Sequence, residues 1–177
     1  MMRGHGLLWM LVATLAACHP KTDTATSFPV PTPVGFVNDF AKILPDSSVR
    51  QATAIITDVK NSTKGEIAVI TVPSLKGHSA FDASLTIARA WKVGWNGPPD
   101  DPRSNNGVLI LIAPADHQIW IQLSDKANTF ISNDEAKRIA GQVMAPLCKQ
   151  QDCGDAVVAG VTSVANHFKE RFGTTPK

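Results

Sequence analysis

The chain has 177 residues, a formal net charge of +2 at pH 7, and hydrophobic residues at 44% of its positions. Lysine and arginine nearly balance aspartate and glutamate, so the chain lacks the basic surplus of a nucleic-acid-binding protein. The length suits a single domain with a short appendage.

The first 17 residues have the organisation of a secretory signal peptide. Arg3 supplies a positive charge, residues 6–14 form an apolar stretch, and Leu15-Ala16-Ala17-Cys18 follows directly. The apolar stretch is too short to span a bilayer, which takes about 20 residues. A cysteine at the end of a small-residue box is typical of bacterial lipoproteins. This predicts cleavage before Cys18 and lipid attachment to its sulfur; an ordinary signal peptide with an incidental cysteine is the alternative.

Residues 18–35 are predicted to form a tether between the lipid and the domain. Threonine, serine and proline dominate this segment, and Pro29, Pro31 and Pro33 favour an extended, polyproline-like backbone. Several acyl chains on Cys18 would anchor the protein stably to a membrane. His19, rather than an aspartate, follows the anchor, which favours the outer membrane. We therefore expect a domain in the cell envelope that faces the periplasm.

Two further cysteines, Cys148 and Cys153, stand five residues apart. Because an exported chain meets oxidising conditions, a disulfide between them is predicted. Closing so small a loop stabilises a fold by about 2 kcal/mol in the chain-entropy model. Free thiols or half of a zinc site are the alternatives, although a structural zinc ion needs four ligands.

The domain is predicted over residues 36–172, followed by a C-terminal tail over residues 173–177. The alternation of strand-like and helix-like patterns with a hairpin predicts an α/β fold, a small mixed β-sheet packed with helices. Periodicity and turn residues predict a helix over 47–61, with Asp46-Ser47-Ser48 as its N-cap, then a buried strand over 67–72 and a helix capped by Ser79. A buried strand over 108–112 and a returning strand over 118–123 follow. A helix that begins at Ser132 and a last helix over 155–172 complete the predicted order.

The helical spacing of apolar residues also predicts which side chains face the core. In the helix after Ser79 the predicted inward residues are Phe81, Leu85, Ala88 and Trp91. In the helix after Ser132 they are Ala136, Ile139, Val143 and Leu147, and in the last helix they are Val157, Val161, Val164 and Phe168.

Five segments in order resemble the TPM domain family. They are Val37-Asn38-Asp39-Phe40-Ala41, Ile43-Leu44, Glu66-Ile67-Ala68-Val69-Ile70-Thr71-Val72, Ala90-Trp91-Lys92-Val93-Gly94 and Asn106-Gly107-Val108-Leu109-Ile110-Leu111-Ile112-Ala113-Pro114. The resemblance implies a small β-sheet with helices packed on it, in proteins that are often exported or membrane-tethered. Members include thylakoid-lumen proteins linked to photosystem II repair, some described as acid phosphatases, and divalent-cation binding has been attributed to some.

The chain departs from the family pattern at three places. Asn105-Asn106-Gly107 stands where members usually carry Asp-Asn-Gly, and residues 124–129 replace a Gly-Tyr-Gly-Leu-Glu-Gly run. Asn133 replaces a family aspartate. Because hard cations prefer anionic oxygen ligands, we expect no cofactor. If an ion does bind, calcium or magnesium is the candidate.

The candidate catalytic residue is Asp39, which matches a family position. Its alternative role is to cap a turn after a short extended piece. A metal-assisted acid phosphatase would use Asp39, Asn106 and Asp101, where a metal ion could activate water. Asp101 otherwise belongs to a solvated turn, and the chain contains no nucleophile-elbow or phosphate-loop motif.

We expect instead a non-catalytic binding or accessory role with a partner protein of the envelope. The loops over 95–106 and 124–132 are predicted to form the working surface, because ligands of α/β sheets meet the loops at the strand ends. Trp95 and Asp125 are the candidate partner-binding residues, since an exposed tryptophan on a rigid loop is a good anchor. Core coverage is the alternative for Trp95, and a purely structural spacer is a third interpretation of the protein.

Overall fold

The computed structural model describes residues 27–94, 97–101 and 103–173. The predictions for the signal peptide, for lipid at Cys18, for Trp95 and for most of the C-terminal tail lie outside these residues. No helix in the described ranges combines the length and the apolar character needed to cross a bilayer.

A four-stranded mixed sheet forms the centre of the domain. Its strands are β1 (Val37–Asp39), β2 (Glu66–Thr71), β3 (Gly107–Ala113) and β4 (Gln118–Leu123). They lie in the order β1-β2-β3-β4, with β1, β2 and β3 parallel and β4 antiparallel to β3. The predicted α/β fold with a small mixed sheet is confirmed, including the hairpin that turns its last strand around.

Helices cover both faces of the sheet. They are α1 (Asp46–Thr63), α2 (Ala80–Trp91), α3 (Asn133–Arg138), α4 (Ala145–Lys149) and α5 (Cys153–Phe172), and a π segment (Ile139–Met144) joins α3 to α4. Short 3₁₀ turns occupy Pro114–Asp116 and Ala127–Thr129.

Two hydrophobic cores lie on opposite faces of the sheet, because successive strand residues point to opposite sides. Ile67 and Val69 pack in one core with α1, α5 and the π segment. Ile70 and Leu111 pack in the other core with α2. The continuous apolar runs of β2 and β3 are therefore those of strands covered on both sides.

The start of α1 differs from the sequence prediction. Its N-cap is Pro45, which makes no side-chain cap hydrogen bond, and Asp46 is already in the first turn. A carboxylate there interacts favourably with the positive end of the helix dipole. The predicted cap at Asp46-Ser47-Ser48 was wrong because all three residues already lie within the helix, where Ser48 is buried beside Gly154 of α5.

The buried face of α2 was predicted only in part. Its buried residues are Ala80, Ala83, Ser84 and Ile87. Phe81 is 46% exposed and packs edge-to-face on Trp120, with ring centroids 6.0 Å apart. Ala88 and Trp91 are partly buried and pack against the same core as predicted, whereas Phe81 lies outside it.

The π segment explains a second misplaced position. Ala136 and Ile139 are buried as predicted, but Met144, rather than Val143, is the next fully buried large residue. A π turn contains one more residue than an α turn, so the inward position moves from the fourth to the fifth residue after Ile139. In α5, by contrast, the predicted residues Val157, Val161, Val164 and Phe168 are all fully buried.

The N-terminal segment packs against the domain before β1 begins. Phe28 is buried in the core on the α2 side of the sheet. The indole N–H of Trp91 donates to the Pro31 carbonyl at 2.8 Å, and the Asn38 side chain accepts from the Val34 N–H at 2.7 Å. The last part of the segment predicted as tether, from Phe28 onward, therefore lies on the domain surface.

Candidate functional site

The candidate residues Asp39 and Asn106 lie at opposite ends of the sheet. Asp39 pairs with Thr71 at the carboxyl end of β2, while Glu66, at its amino end, pairs with Gly107. The five residue steps between these two ends of β2 correspond to about 17 Å, at about 3.3 Å per residue. The structure therefore does not bring Asp39 and Asn106 into one site.

The Asp39 carboxylate holds the turn that follows β1. It accepts hydrogen bonds from the backbone N–H groups of Ile43, at 3.2 Å, and Leu44, at 2.9 Å. The Thr71 hydroxyl, on the neighbouring strand, donates to the same carboxylate. These contacts are those of a turn-capping aspartate, the alternative role that the sequence left open.

The loop before β3 and the loop after β4 meet at the other end of the sheet. The Ser124 hydroxyl donates to the Asn105 carbonyl at 2.6 Å and accepts from the Gly107 N–H at 3.0 Å. The two predicted loops are thus neighbours, but at the amino end of β2 and β3. Ligands of open α/β sheets bind at the carboxyl ends of the parallel strands, so that rule does not support this surface. The loops meet because they flank the two strands of one hairpin.

Lys126 fastens these two loops together. Its ammonium group donates to the carbonyl oxygens of Pro99, at 3.3 Å, and Asp101, at 3.0 Å, and to the Ser104 hydroxyl, at 3.2 Å. Oxygen atoms of this kind are also the ligands that hard cations bind. In this chain a lysine side chain supplies the positive charge at that point.

Asp101 is paired with Arg103 within the same loop. The guanidinium donates to both carboxylate oxygens, at 2.9 and 2.6 Å, and the Arg103 backbone N–H adds a third bond at 2.8 Å. These hydrogen bonds, the side-chain ones first, lower the pKa of Asp101 from 3.8 to about 2. The carboxylate therefore stays ionised at neutral pH and is already engaged.

The candidate metal ligands do not fit a divalent cation. Asp39 is at the far end of the sheet, Asp101 is paired with Arg103, and Asn106 is buried with its backbone carbonyl bound to the Glu66 N–H at 2.9 Å. Within residues 27–94, 97–101 and 103–173, no three His, Cys, Asp or Glu side chains are close enough to hold an ion.

Glu66 is an acid at the amino end that the sequence did not single out. Its carboxylate accepts from the Gly94 N–H at 2.9 Å and forms an ion pair with Lys60 at 3.0 Å. An acid at the first position of a buried apolar strand was the available signal, because a charge there needs partners. Asp125, the predicted partner-binding residue, is exposed on the same loop surface.

A groove of about 900 Å³ runs along β4. Phe81 and Trp120 line it from the α2 side, and the small residues Ala140, Gly141 and Ala145 line it from the π segment and the start of α4. The sequence did not predict this groove, because its walls come from three elements that are distant in the chain.

The disulfide predicted between Cys148 and Cys153 is present and also lines the groove. It joins the end of α4 to the start of α5. The bond therefore fixes the junction between two helices whose neighbouring residues form part of the groove wall.

A sequence profile described as the TPM domain matches residues 37–167. The chain belongs to the TPM domain family. The match covers most of the chain and includes the five segments that carry the resemblance. No curated protein matches this chain.

Solved structures resemble this TPM domain in fold. The N-terminal domain of a protein from P. gingivalis superimposes with a TM-score of 0.69 at 20% identity, covering 80% of this chain and 87% of that one. The N-terminal domain of cg2496 from Corynebacterium glutamicum gives 0.60 at 20% identity, covering 86% and 94%. BA42 from Bizionia argentinensis gives 0.58 at 22% identity, covering 75% and 86%.

Proposed function

We propose that this TPM domain is a lipid-anchored module of the cell envelope that binds a partner protein and does not itself catalyse a reaction. The observation that supports this function is that both carboxylates of the alternative phosphatase site, Asp39 and Asp101, already have internal partners. Asp39 accepts two backbone N–H groups and a hydroxyl, and Asp101 is held by Arg103. Each carboxylate thus contributes to the position of a loop.

The proposed location follows from the N-terminal sequence. The Leu15-Ala16-Ala17-Cys18 box after a short apolar stretch supports processing to an acylated Cys18, and His19 supports the outer membrane, with the domain facing the periplasm. The Cys148–Cys153 disulfide suits an oxidising compartment outside the cytosol. Intact-mass measurement of the protein from membranes tests the anchor. An unprocessed chain without lipid would contradict it.

The proposed partner surface includes the joined loops at the amino end of the sheet. Asp125 is exposed there, and Lys126 and Ser124 fix the backbone on either side of it. Rigid loops lose little conformational entropy when a partner binds, which favours affinity. Trp95 belongs to the first of these loops in sequence and remains the proposed anchor.

Photocrosslinking in the native envelope tests the binding role. A photoreactive amino acid at the position of Asp125 should crosslink to one discrete protein, and Trp95→Ala should reduce the yield. The same amino acid at Gln51, exposed on α1, is the matched control and should give little product. Unchanged crosslinking in Trp95→Ala would count against this surface.

A phosphatase assay tests the alternative that the domain is an enzyme. Purified protein is mixed with p-nitrophenyl phosphate, with and without added magnesium or calcium. We expect no turnover above the rate of buffer alone. Turnover that depends on the metal and disappears in Asp39→Asn would overturn the non-catalytic function.

A further inference from the structure

The outer edge of β4 is open in the described part of the chain. β4 is the last strand in the sheet order. The Ser124 N–H donates to the Gly107 carbonyl, and this type of pair recurs at every second residue of an antiparallel ladder. Gln122, Trp120 and Gln118 therefore face β3, and the N–H and C=O groups of Ile119 and Ile121 point away from the sheet.

The space beside this edge is wide enough for another strand. Ala140, Gly141 and Ala145 form the wall beside β4, and a Cβ built on Gly141 would meet nothing within 4 Å. Neighbouring strands lie about 4.8 Å apart, so small side chains here leave room for an extended backbone. Unpaired strand edges are normally covered or blunted by charge, whereas this edge carries Ile119 and Ile121.

The charges that line the groove have one sign. They come from Lys137 and Lys149, and no aspartate or glutamate lines it in the described residues. Lys137 has Asp134 at 3.6 Å, but both side chains are at least 70% exposed, where an ion pair is worth little. The groove therefore complements a ligand that is apolar and also carries acidic groups.

We infer that β4 accepts an extended acidic segment of a partner protein, which pairs with Ile119 and Ile121 as a fifth strand. This inference rests on the proposed binding function and names how the partner is held. Main-chain hydrogen bonds along the edge give affinity, and the two lysines of the lining favour acidic residues. A fifth strand would pair with the N–H and C=O groups of Ile119 and Ile121 that β4 directs away from the sheet.

A second copy of this chain fits the groove less well. Its own β4 reads Gln118-Ile119-Trp120-Ile121-Gln122-Leu123 and contains no acid. Pairing two such edges would also place Lys137 and Lys149 of both copies at the same interface. Like charges placed opposite each other disfavour association.

The test uses the full processed chain in lipid nanodiscs and a fluorescein-labelled peptide, Glu-Val-Thr-Val-Thr-Val-Glu, blocked at both ends. We expect saturable binding by fluorescence anisotropy, and slower hydrogen exchange over residues 118–123 when the peptide is present. The same peptide with lysine at both ends should bind at least about tenfold more weakly. A version with N-methyl groups at alternate amides should not bind, because it cannot pair as a strand.

Gly141→Phe fills the groove, and Gly141→Ala is its matched control. We expect Gly141→Phe to weaken peptide binding at least about tenfold, and Gly141→Ala to leave it close to that of the unchanged protein. The double variant Lys137→Glu with Lys149→Glu should reverse the preference to the lysine-ended peptide. Equal binding of both peptides by the unchanged protein would overturn the inference. So would slower hydrogen exchange that is found only outside residues 118–123.

Failure of this inference can be told apart from failure of the proposed function. If the peptide does not bind, but crosslinking from Asp125 still yields a partner, the partner docks elsewhere and only the β4 assignment is wrong. If neither surface yields a partner, the binding function itself is wrong. If ultracentrifugation shows a dimer that Gly141→Phe makes monomeric, the occupant is a second copy and the inference is overturned.

Discussion

The two ends of the parallel strands use side chains of opposite charge for the same purpose. At the carboxyl end, the Asp39 carboxylate accepts the backbone N–H groups of Ile43 and Leu44. At the amino end, the Lys126 ammonium donates to the backbone carbonyls of Pro99 and Asp101. Each charged group satisfies backbone atoms that have left regular secondary structure and would otherwise need water.

This comparison changes how charged residues near strand ends should be interpreted. Asp39 and Asp101 attract attention as possible catalytic acids, yet both act on the backbone or on a neighbouring arginine. The charge of the side chain matches the backbone groups that the turn leaves unpaired. An anionic side chain accepts from N–H groups, and a cationic side chain donates to carbonyl groups.

Gly107→Ala should have the largest effect, because Gly107 is where the amino-end loops come closest to another backbone segment. An added Cβ would overlap the Val93 carbonyl and approach the Gly94 nitrogen. We expect a loss of about 3 kcal/mol in the free energy of unfolding, or failure to fold, measured by urea denaturation. Gly141→Ala is the control, and equal stability of the two variants would contradict the close approach.

Asp39→Ala should cost about 2 kcal/mol in the free energy of unfolding, because it leaves two backbone N–H groups and the Thr71 hydroxyl without their acceptor. Asp39→Asn should cost less, since one acceptor oxygen remains. Asp100→Ala, in an exposed loop, should stay within about 0.5 kcal/mol. Urea denaturation measures all three. Similar values for Asp39→Ala and Asp100→Ala would show that Asp39 does not hold the turn.

Lys126→Met should cost about 1 kcal/mol, because a charged donor is lost from oxygens that water can partly reach. The more specific readout is hydrogen exchange, which should become faster in the loop before β3 and remain unchanged in the turn after β1. Lys137→Met, at a side chain that is 70% exposed, serves as the control. Unaltered exchange in that loop would mean that Lys126 does not fasten it.

Arg103→Gln should raise the pKa of Asp101 from about 2 towards 3.8, because the guanidinium hydrogen bonds are the main cause of its low value. A carboxyl whose pKa is lowered by folding stabilises the protein above its unfolded pKa, and this contribution is lost as the pH falls towards 2. NMR titration of the carboxyl carbon measures the shift. Glu135, whose pKa is held near 2 mainly by Arg138, is the internal control and should not change.

The strands β2, β3 and β4 and the starts of α2 and α3 could be predicted from the sequence because their signals are local, whereas the three-residue β1 was not predicted. The apolar runs of β2 and β3, with their β-branched residues, predict strands buried on both faces. Ser79 and Ser132 each accept the N–H three residues on, as capping residues do. These features depend on neighbours within one turn or one strand.

The candidate site was harder to predict because its contacts are long-range. Lys126 meets oxygens that are 22 to 27 residues away in the chain, and no local pattern indicates this. The π segment moved the buried position from Val143 to Met144, since a single extra residue in a turn leaves no periodic signal. The groove beside β4 depends on Gly141 and its small neighbours facing an edge strand, which requires the complete topology.

The packing of Phe28 and Pro31 on the α2 side of the domain has a consequence for distance. If Cys18 carries the lipid, only residues 19–27 lie between the acylated cysteine and the first anchored side chain. At about 3.1 Å per residue in an extended backbone, this linker spans at most about 28 Å. The domain would then stay within roughly its own diameter of the lipid headgroups, because the linking segment packs on its α2 side. It could therefore bind only partners that lie close to that membrane.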